Sequence, residues 1–348
     1  MLAEAGAEVI KVERPGGEDM RAMPPLHDGE AAVFALLNRG KKSVVLDLKN
    51  ENDRTRLRPL LESADVLVEQ FRPGVMERLD LGFEAVARIN PRIVYCSISG
   101  YGQQGPRAGE AGHDINYQSR TGLLAIQPGP PDRPVVPPAL VADIGGGTMP
   151  AVINILLGLR QRDATGKGVY LDVAMADAMF TFAWYAYAIG NVTGKFPGPG
   201  ELRLAGASPR YQLYPTKDGK LVACGALEQK FWLAFCNAIA LPGPLMNDLA
   251  DPAATKKAVA DIIARESAAH WEPKFAAADC CVTIMASLAD ALHDPHFVER
   301  GLFAHQVSGS TGKTVPALPV PIAETLREKP GAKRSPQLGA DNGLLGSL

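Results

Sequence analysis

The sequence predicts an α/β protein with a Rossmann-like large domain and a smaller α+β domain. Apolar runs of strand length alternate with helical patterns from Glu8 to Val173, which is the arrangement typical of parallel α/β sheets. A Gly- and Pro-rich stretch follows, and from Tyr211 the pattern changes to two short strands and several helices. We assign residues 1–190 and 304–348 to the large domain, 191–210 to a linker and 211–303 to the small domain.

The composition is ordinary for a soluble globular protein. The chain has 348 residues, of which 46% are hydrophobic and 21% charged, with a net charge of −2. This balance gives no reason to expect nucleic acid or an anionic membrane as a partner. The five cysteines form no CxxC pair, which favours a reducing, cytoplasmic compartment. No secretory signal is recognised, and no uninterrupted apolar run is long enough to span a bilayer.

The first elements have clear local signals. Met1–Gly6 has the pattern of the last turn of a helix that ends at a glycine. Glu8–Glu13 is a predicted strand, and Gly16–Leu37 is a polar, proline-bearing connector. Asn38–Lys49 predicts a basic turn followed by a strand with alternating faces.

Two arginines follow the next predicted strand. The pattern predicts a helix over Glu51–Ser63, a strand over Asp65–Gln70 and a further strand over Arg92–Ser97. Arg72 lies in the turn after the strand Asp65–Gln70, and Arg78 in the helix beyond it. Ligands of open α/β sheets bind at such strand ends, where arginines bind phosphate well. No GxGxxG or Walker pattern is present, so a dinucleotide or ATP site has no support.

The stretch Gly112–Gly147 holds the strongest catalytic candidates. His113 begins its first motif, and Asp143 precedes three glycines and a helical pattern. We expect Asp143 in a tight turn at a helix N-terminus, where the dipole favours its anion. The apolar stripe of the following helix, expected to be its buried face, comprises Met149, Val152, Ile153, Leu156 and Leu157. The alternatives are that Asp143 is an N-cap and His113 a structural hydrogen-bond donor.

The remaining chain predicts a strand at Val169–Val173 and then Ala174–Ile189, a helix apolar on nearly every side. Such a helix fits a domain core or a dimer interface. In the small domain, strands are predicted at Gln212–Pro215 and Leu221–Ala226. Glu228 begins the next helix, where it either complements the dipole or reaches an active site.

Several of these motifs resemble one family. GHDINY at residues 112–117, VADIGGG at 141–147 and GKG at 166–168 resemble the class III coenzyme A transferase superfamily, and within it the alpha-methylacyl-CoA racemases. GALEQKFW at residues 225–232 also resembles a racemase motif whose glutamate reaches the active site. The resemblance covers the chain from Met1 to about Asn342. In the family, a first strand and most of a helix precede LAEAGAEVIKVERP, so we expect these elements to be missing.

The resemblance implies an acyl-CoA thioester as substrate, no separate cofactor and no metal. It implies His113, Asp143 and Glu228 as catalytic residues, and two chains interlocked as a homodimer. It also implies a coenzyme A site lined by Arg14, Leu46, Asp47, Leu48, Lys49, Arg72, Arg78, Gly112, Asp114, Ile115, Asn116 and Tyr117.

The chemistry of a racemase suits these residue types. One base removes the weakly acidic α-hydrogen of a thioester, and a second group protonates the opposite face. His113 and Asp143 are the two candidates, with Glu228 orienting or tuning His113. The prolines between them, which would set them on opposite sides of the substrate, are Pro128, Pro130, Pro131, Pro134, Pro137 and Pro138.

Two other functions stay open. In a coenzyme A transferase, Asp143 would be a nucleophile that forms an acyl anhydride and then a thioester with coenzyme A. A histidine base is not needed there, so His113 favours the racemase. The third hypothesis is a non-catalytic acyl-CoA-binding protein. The presence of His113, Asp143 and Glu228 argues against it.

Overall fold

The computed structural model describes residues 1–127 and 135–347. Pro128, Pro130, Pro131 and Pro134 lie outside the described residues, so the expected role of the proline-rich span remains a prediction.

The strands in the described residues are short. In chain order they are β1 (Ile10–Glu13), β2 (Leu26–His27), β3 (Glu30–Ala31), β4 (Lys42–Val45), β5 (Val66–Glu69), β6 (Val94–Ser99), β7 (Val169–Ala174), β8 (Gln212–Pro215), β9 (Leu221–Cys224), β10 (Val282–Ile284), β11 (Gln306–Ser308), β12 (Thr314–Pro316) and β13 (Ala332–Lys333).

The α-helices are α1 (Ala32–Asn38), α2 (Glu51–Ser63), α3 (Val75–Arg78), α4 (Phe83–Ile89), α5 (Asp114–Arg120), α6 (Met149–Thr165), α7 (Met179–Phe182), α8 (Trp184–Thr193), α9 (Gln229–Ala238), α10 (Pro252–Ile263), α11 (Ala268–Ala278), α12 (Leu288–Ala291) and α13 (Pro295–Glu299). A π-helical segment, Ala142–Thr148, precedes α6, and a 3₁₀ turn, Leu2–Ala5, ends at Gly6 in the left-handed region, as expected.

The chain divides into two compact units. The first comprises Met1–Ala111, Ile144–Met175 and Ala289–Leu348, and the second comprises Gly112–Asp143 and Ala176–Leu288. The second unit therefore includes the segment with His113 and Asp143 together with the segment around Glu228. The domain limits predicted from the sequence stay a prediction.

The first unit contains the parallel strands that define the α/β class. β5, β6 and β7 form one parallel sheet in that order, and β1 pairs with β4 in a second. Buried apolar side chains on the strands and on α2 and α4 form its core, among them Val94, Tyr95, Leu57 and Val86. The predicted alternation of strands and helices is confirmed, and it brings the carboxyl ends of the three strands to one edge.

The helix α6 buries a different face from the one the apolar stripe predicts. Ala151, Ile155 and Gly158 pack on β6 and β7, while Ile153, Leu156 and Leu157 are 57%, 55% and 57% exposed. A Cβ at Gly158 would lie 3.0 Å from side-chain atoms of Val94 and Val169, so a larger residue there would press on both valines. The prediction of the buried face was wrong because small residues, rather than large apolar ones, set the helix–sheet distance.

Other local predictions also need correction. Ala174 belongs to β7, and the predicted helix Ala174–Ile189 is two helices, α7 and α8, with several exposed aromatic residues. The connector Gly16–Leu37 contains the hairpin β2–β3 and most of α1. The strand predicted through Lys49 ends at Val45, because Asp47 turns the chain by accepting a hydrogen bond from Lys49 N at 3.0 Å.

By length and composition alone, one helical stretch in the described residues, Ala142–Thr165, could cross a membrane. No run of this kind was predicted from the sequence. About a third of this stretch, 33%, is buried, and interior helices of soluble proteins also meet the same criterion.

The second unit has an antiparallel sheet in the order β10–β9–β8. Its core is aromatic: Trp232 and Phe235 of α9 pack with Phe275 and Trp271 of α11. Trp232 and Phe235 are fully buried and Phe231 is partly buried. This unit therefore has the small α+β core that the sequence indicates.

Candidate active site

His113 precedes the first residue of α5 and exposes its side chain. Its backbone is extended, with φ −126° and ψ 175°, as is usual for an N-cap. The side-chain oxygen of Asn116 accepts a hydrogen bond from His113 N at 3.0 Å, and Asn116 N donates to His113 O at 2.8 Å. These bonds fix the backbone of His113, and its exposed imidazole remains open to a substrate.

Asp114 joins the start of α5 to the segment that carries Asp143. Its buried carboxylate accepts hydrogen bonds from Ala142 N at 2.7 Å and Asp143 N at 3.0 Å, and from the side chain of Gln118. An acidic group suits this position because the first N–H groups of a helical segment have no helical partner. Asp114 thereby brings His113 and Asp143 close together.

Asp143 lies in the first turn of the π-helical segment rather than in a tight turn. Burial and the neighbouring Asp114 carboxylate raise its pKa, while His113 lowers it. The sequence predicted that the helix terminus favours the anion of Asp143, but Asp114 accepts the hydrogen bond from Asp143 N and adds a like charge. A carboxylate with a raised pKa is a stronger base once ionised, which suits proton removal.

The Tyr117 side chain packs against Gly112, the residue before His113. Tyr117 is buried and donates a hydrogen bond to Gly112 O at 2.6 Å. A Cβ at Gly112 would lie 2.7 Å from the Tyr117 ring, so a side chain there would displace the ring. Ile115 and Asn116 are exposed on the same short helix and can meet a ligand.

Glu228 lies in a separate cavity of the second unit. It is exposed at the N-terminus of α9 and lines a cavity of about 390 Å³ with Tyr185, Arg203, Leu204 and Leu227. The described residues that line this cavity include neither His113 nor Asp143. The chain thus brings two of the three predicted catalytic groups together, and the function of Glu228 beside His113 stays a prediction.

The predicted coenzyme A residues of the first unit differ in accessibility. Arg14 donates to Gly17 O at 2.8 Å and pairs with Asp19, within its own loop. Leu46 is only 1% exposed and packs in the core, whereas Asp47 and Lys49 are exposed in the turn before α2. Leu46 can therefore shape a site only through its backbone.

Arg72 and Arg78 are the accessible cations. Both are exposed just after β5, Arg72 in the turn and Arg78 at the end of α3. The guanidinium of Arg78 lies over Gly74, 3.2 Å from where a Cβ would be. Within residues 1–127 and 135–347, neither side chain has a hydrogen-bond or ion-pair partner, so both can bind phosphate.

Replacing Arg72 by Ala should weaken the binding of free coenzyme A by about 1–3 kcal/mol, the range for a lost charge-assisted contact. Folding should be unchanged, because the side chain is exposed. Isothermal titration calorimetry checks this, with the exposed Arg88→Ala on α4 as control. If Arg72→Ala and the parent protein bind coenzyme A with equal affinity, the phosphates of coenzyme A do not contact Arg72.

Two features of the site were not predicted from the sequence. Asp114 was predicted only as a lining residue, although its spacing to Gln118 is that of facing residues on one helix. Arg203 and Tyr185 were not selected, because no local motif marks residues that meet in a cavity from distant parts of the chain.

Comparisons with known proteins show the family of the chain. The chain belongs to CoA-transferase family III, whose sequence pattern matches residues 1–342. The alpha-methylacyl-CoA racemase of Mus musculus is 35% identical over 348 residues, with 97% of this chain and 85% of that protein covered. The acetyl-CoA:oxalate CoA-transferase of Acetobacter aceti is 34% identical, with 98% and 89% covered.

Solved structures have the same fold. A CAIB/BAIF family protein from Brucella suis superposes with a TM-score of 0.82 at 30% identity, covering 98% of this chain and 92% of that one. A protein of Mycobacterium tuberculosis gives a TM-score of 0.83 at 25% identity, covering 99% and 94%. The protein therefore belongs to an enzyme family that includes racemases and coenzyme A transferases. The predicted α/β fold class is confirmed.

Proposed function

We propose that this protein is a racemase that inverts the α-carbon of a 2-methylacyl-CoA thioester by two-base proton transfer. The observation that carries the proposal is the pairing of His113 and Asp143, which interact electrostatically and are joined through Asp114. The similarity to racemases from two mammals, at 35% and 34% identity, supports it.

In the proposed reaction one of the two groups takes the α-proton, and the electron pair of the C–H bond moves into the thioester to give an enolate. The other group then gives its proton to the opposite face of the α-carbon. For one enantiomer His113 is the base and Asp143 the acid, and for the other the roles exchange. No external cofactor is needed, since coenzyme A is part of the substrate.

The second candidate is a coenzyme A transferase, supported by the 34% identity to the acetyl-CoA:oxalate enzyme. There the carboxylate of Asp143 attacks the thioester carbonyl and expels coenzyme A thiolate, which leaves a mixed anhydride. The thiolate then attacks the Asp143 carbonyl of the anhydride, releases the donor carboxylate and forms an Asp143 thioester, from which an acceptor acid takes coenzyme A. The part-exposed carboxylate of Asp143 suits that attack.

Mass spectrometry of the intact protein separates the two candidates. The racemase should show no adduct after incubation with an acyl-CoA, because coenzyme A never leaves the acyl group. A mass increase equal to coenzyme A less one water, absent in Asp143→Asn, would establish the transferase instead. His270→Ala, which removes an exposed histidine packed on Trp271, serves as a control that should change neither result.

Arg72 and Arg78 are part of the proposal as phosphate contacts for coenzyme A. We place the enzyme in the cytoplasm, consistent with the five free cysteines, and in branched-acyl lipid metabolism.

We also propose that the protein is a homodimer. Apolar side chains of the first unit are exposed along α6, among them Ile153 and Leu157, and aromatic ones of the second unit along α7 and α8, among them Phe180 and Trp184. Exposed apolar patches of this kind mark association surfaces. The interlocked dimer implied by the family resemblance would cover them.

Light scattering at micromolar concentration should therefore report twice the chain mass of 37.0 kDa. Dilution should not release folded monomer, because the exposed apolar surface would then meet water. A folded monomer at that concentration would contradict the dimer. Ile153→Glu should weaken association, whereas Arg265→Glu, on an exposed part of the second unit, should not.

A further inference from the structure

The cavity beside Glu228 contains polar groups that the fold leaves unused. Leu204 and Leu227 form its apolar part, and Arg203, Glu228 and Tyr185 contribute a guanidinium, a carboxylate and a phenol. A cavity of about 390 Å³ with a few convergent polar groups has the size and chemistry of a small-molecule site.

Arg203 has almost no structural partner. In the part of the chain that the structure describes, its guanidinium makes one long hydrogen bond, to Leu227 O at 3.5 Å. The same carbonyl already accepts a shorter bond from Arg210, at 3.2 Å. Arg210 is buried and paired with Asp248 at 2.6 Å, so Arg210 rather than Arg203 stabilises the fold around Leu227 O.

Arg203 and Glu228 also form no ion pair with each other in residues 1–127 and 135–347, although they line one cavity. The hydroxyl of Tyr185 has no hydrogen-bond partner among the same residues. The backbone beside Arg203 is anchored, because Leu202 is buried and accepts backbone bonds from Ala205 and Ala207. An arginine that has no ion-pair partner in the described residues and lines a cavity with apolar side chains is suited to a ligand anion.

We propose that this cavity is a carboxylate-binding site in which Arg203 binds the anion and Leu204 and Leu227 contact a short aliphatic chain. A planar guanidinium matches the two oxygens of a carboxylate in a bidentate pair, and the Tyr185 hydroxyl can donate to the same group. The carboxylate can come from a free short-chain acid or from the distal end of a dicarboxylic acyl-CoA. The site goes beyond the proposed racemase activity, since binding there needs no turnover.

Calorimetric titration with matched ligands tests the site. The first pair is butyrate and butyramide, which differ in charge at constant size. The second is succinyl-CoA and butyryl-CoA, which differ in the distal carboxylate. We expect the charged member of at least one pair to bind about 10-fold more tightly or better, the effect of a charge-assisted contact of about 1.5 kcal/mol.

Arg203→Ala should abolish that preference and leave the neutral ligands unaffected. Arg203→Lys should keep part of it, since the charge remains without the fork. Arg265→Ala, an exposed arginine of the same unit outside the cavity, should change nothing. A preference in the first pair identifies the free acid as the source, and one in the second pair alone identifies the acyl end.

The proposal is overturned if the wild-type protein prefers the charged ligand in neither pair, or if Arg203→Ala keeps the preference. The wild-type comparison needs no variant, so a folding defect in Arg203→Ala cannot mask the answer. A loss of coenzyme A binding altogether would refute the proposed function, while the butyrate pair would still report on this site.

Discussion

His113→Ala should lose racemisation by at least about 100-fold, the lower range for removal of a general acid or base. It should still exchange the α-hydrogen of one enantiomer with solvent, because Asp143 can remove and return a proton on its own side. Asp143→Asn should show the opposite preference. Such one-sided exchange is expected from two fixed bases on opposite faces of the substrate.

The structure makes His113→Ala an informative variant. The imidazole is exposed, and the backbone of His113 is held by Asn116, so the fold should survive the change. Proton NMR of each enantiomer of a 2-methylacyl-CoA in heavy water measures both exchange rates. His270→Ala is the matched control. Racemisation by His113→Ala at the wild-type rate would remove the two-base mechanism and favour the transferase.

Asp114→Ala should destabilise the protein by about 3 kcal/mol or more, because it leaves two backbone N–H groups and the Gln118 amide without their acceptor. The activity should fall as well, since nothing would then hold Asp143 near His113. Chemical denaturation measures the free energy of unfolding. The activity is assayed at low denaturant, where the protein is folded.

Asp114→Asn separates position from charge, because an amide oxygen still accepts a hydrogen bond. Removing the negative charge removes one cause of the raised pKa of Asp143. As pH falls, the activity should therefore persist to lower pH in Asp114→Asn than in the wild-type enzyme. Asp248→Asn is the control: it disturbs a buried pair with Arg210 but should leave the acid limb of the pH profile unchanged. An identical acid limb in Asp114→Asn would show that Asp143 is not the titrating base.

The sequence predicted elements best where the pattern was local. The helix Glu51–Ser63 has the predicted limits because Asn50 caps it with its side chain and its first turn is acidic. The strand Gln212–Pro215 is likewise confirmed, since the glycine of its turn, Gly219, has the positive φ of 76° that the turn needs.

Predictions failed where packing decided the outcome. Periodicity gave α6 an apolar stripe, but the sheet selects the face with Gly158 and Ala151, because only small residues let the helix approach β6 and β7. The sequence alone does not show whether a helical stripe of large apolar residues is a buried core face or an association surface.

The candidate site was predictable in its residue types and not in its electrostatics. The motifs around His113 and Asp143 selected the two proposed bases, and the structure brings both residues together through Asp114. The raised pKa of Asp143 comes from burial and from Asp114, whose carboxylate reaches it across 29 positions of the chain. No sequence motif marks Arg203. It became a candidate only because the fold places it in the cavity that Glu228 also lines.

The most direct test of the central claim is incubation of the wild-type protein with one enantiomer of a 2-methylacyl-CoA in heavy water, with a free carboxylic acid present. The account predicts that deuterium enters the α-carbon, that both enantiomers form, and that coenzyme A stays on its acyl group. Transfer of coenzyme A to the free acid, with no deuterium at the α-carbon, would contradict it.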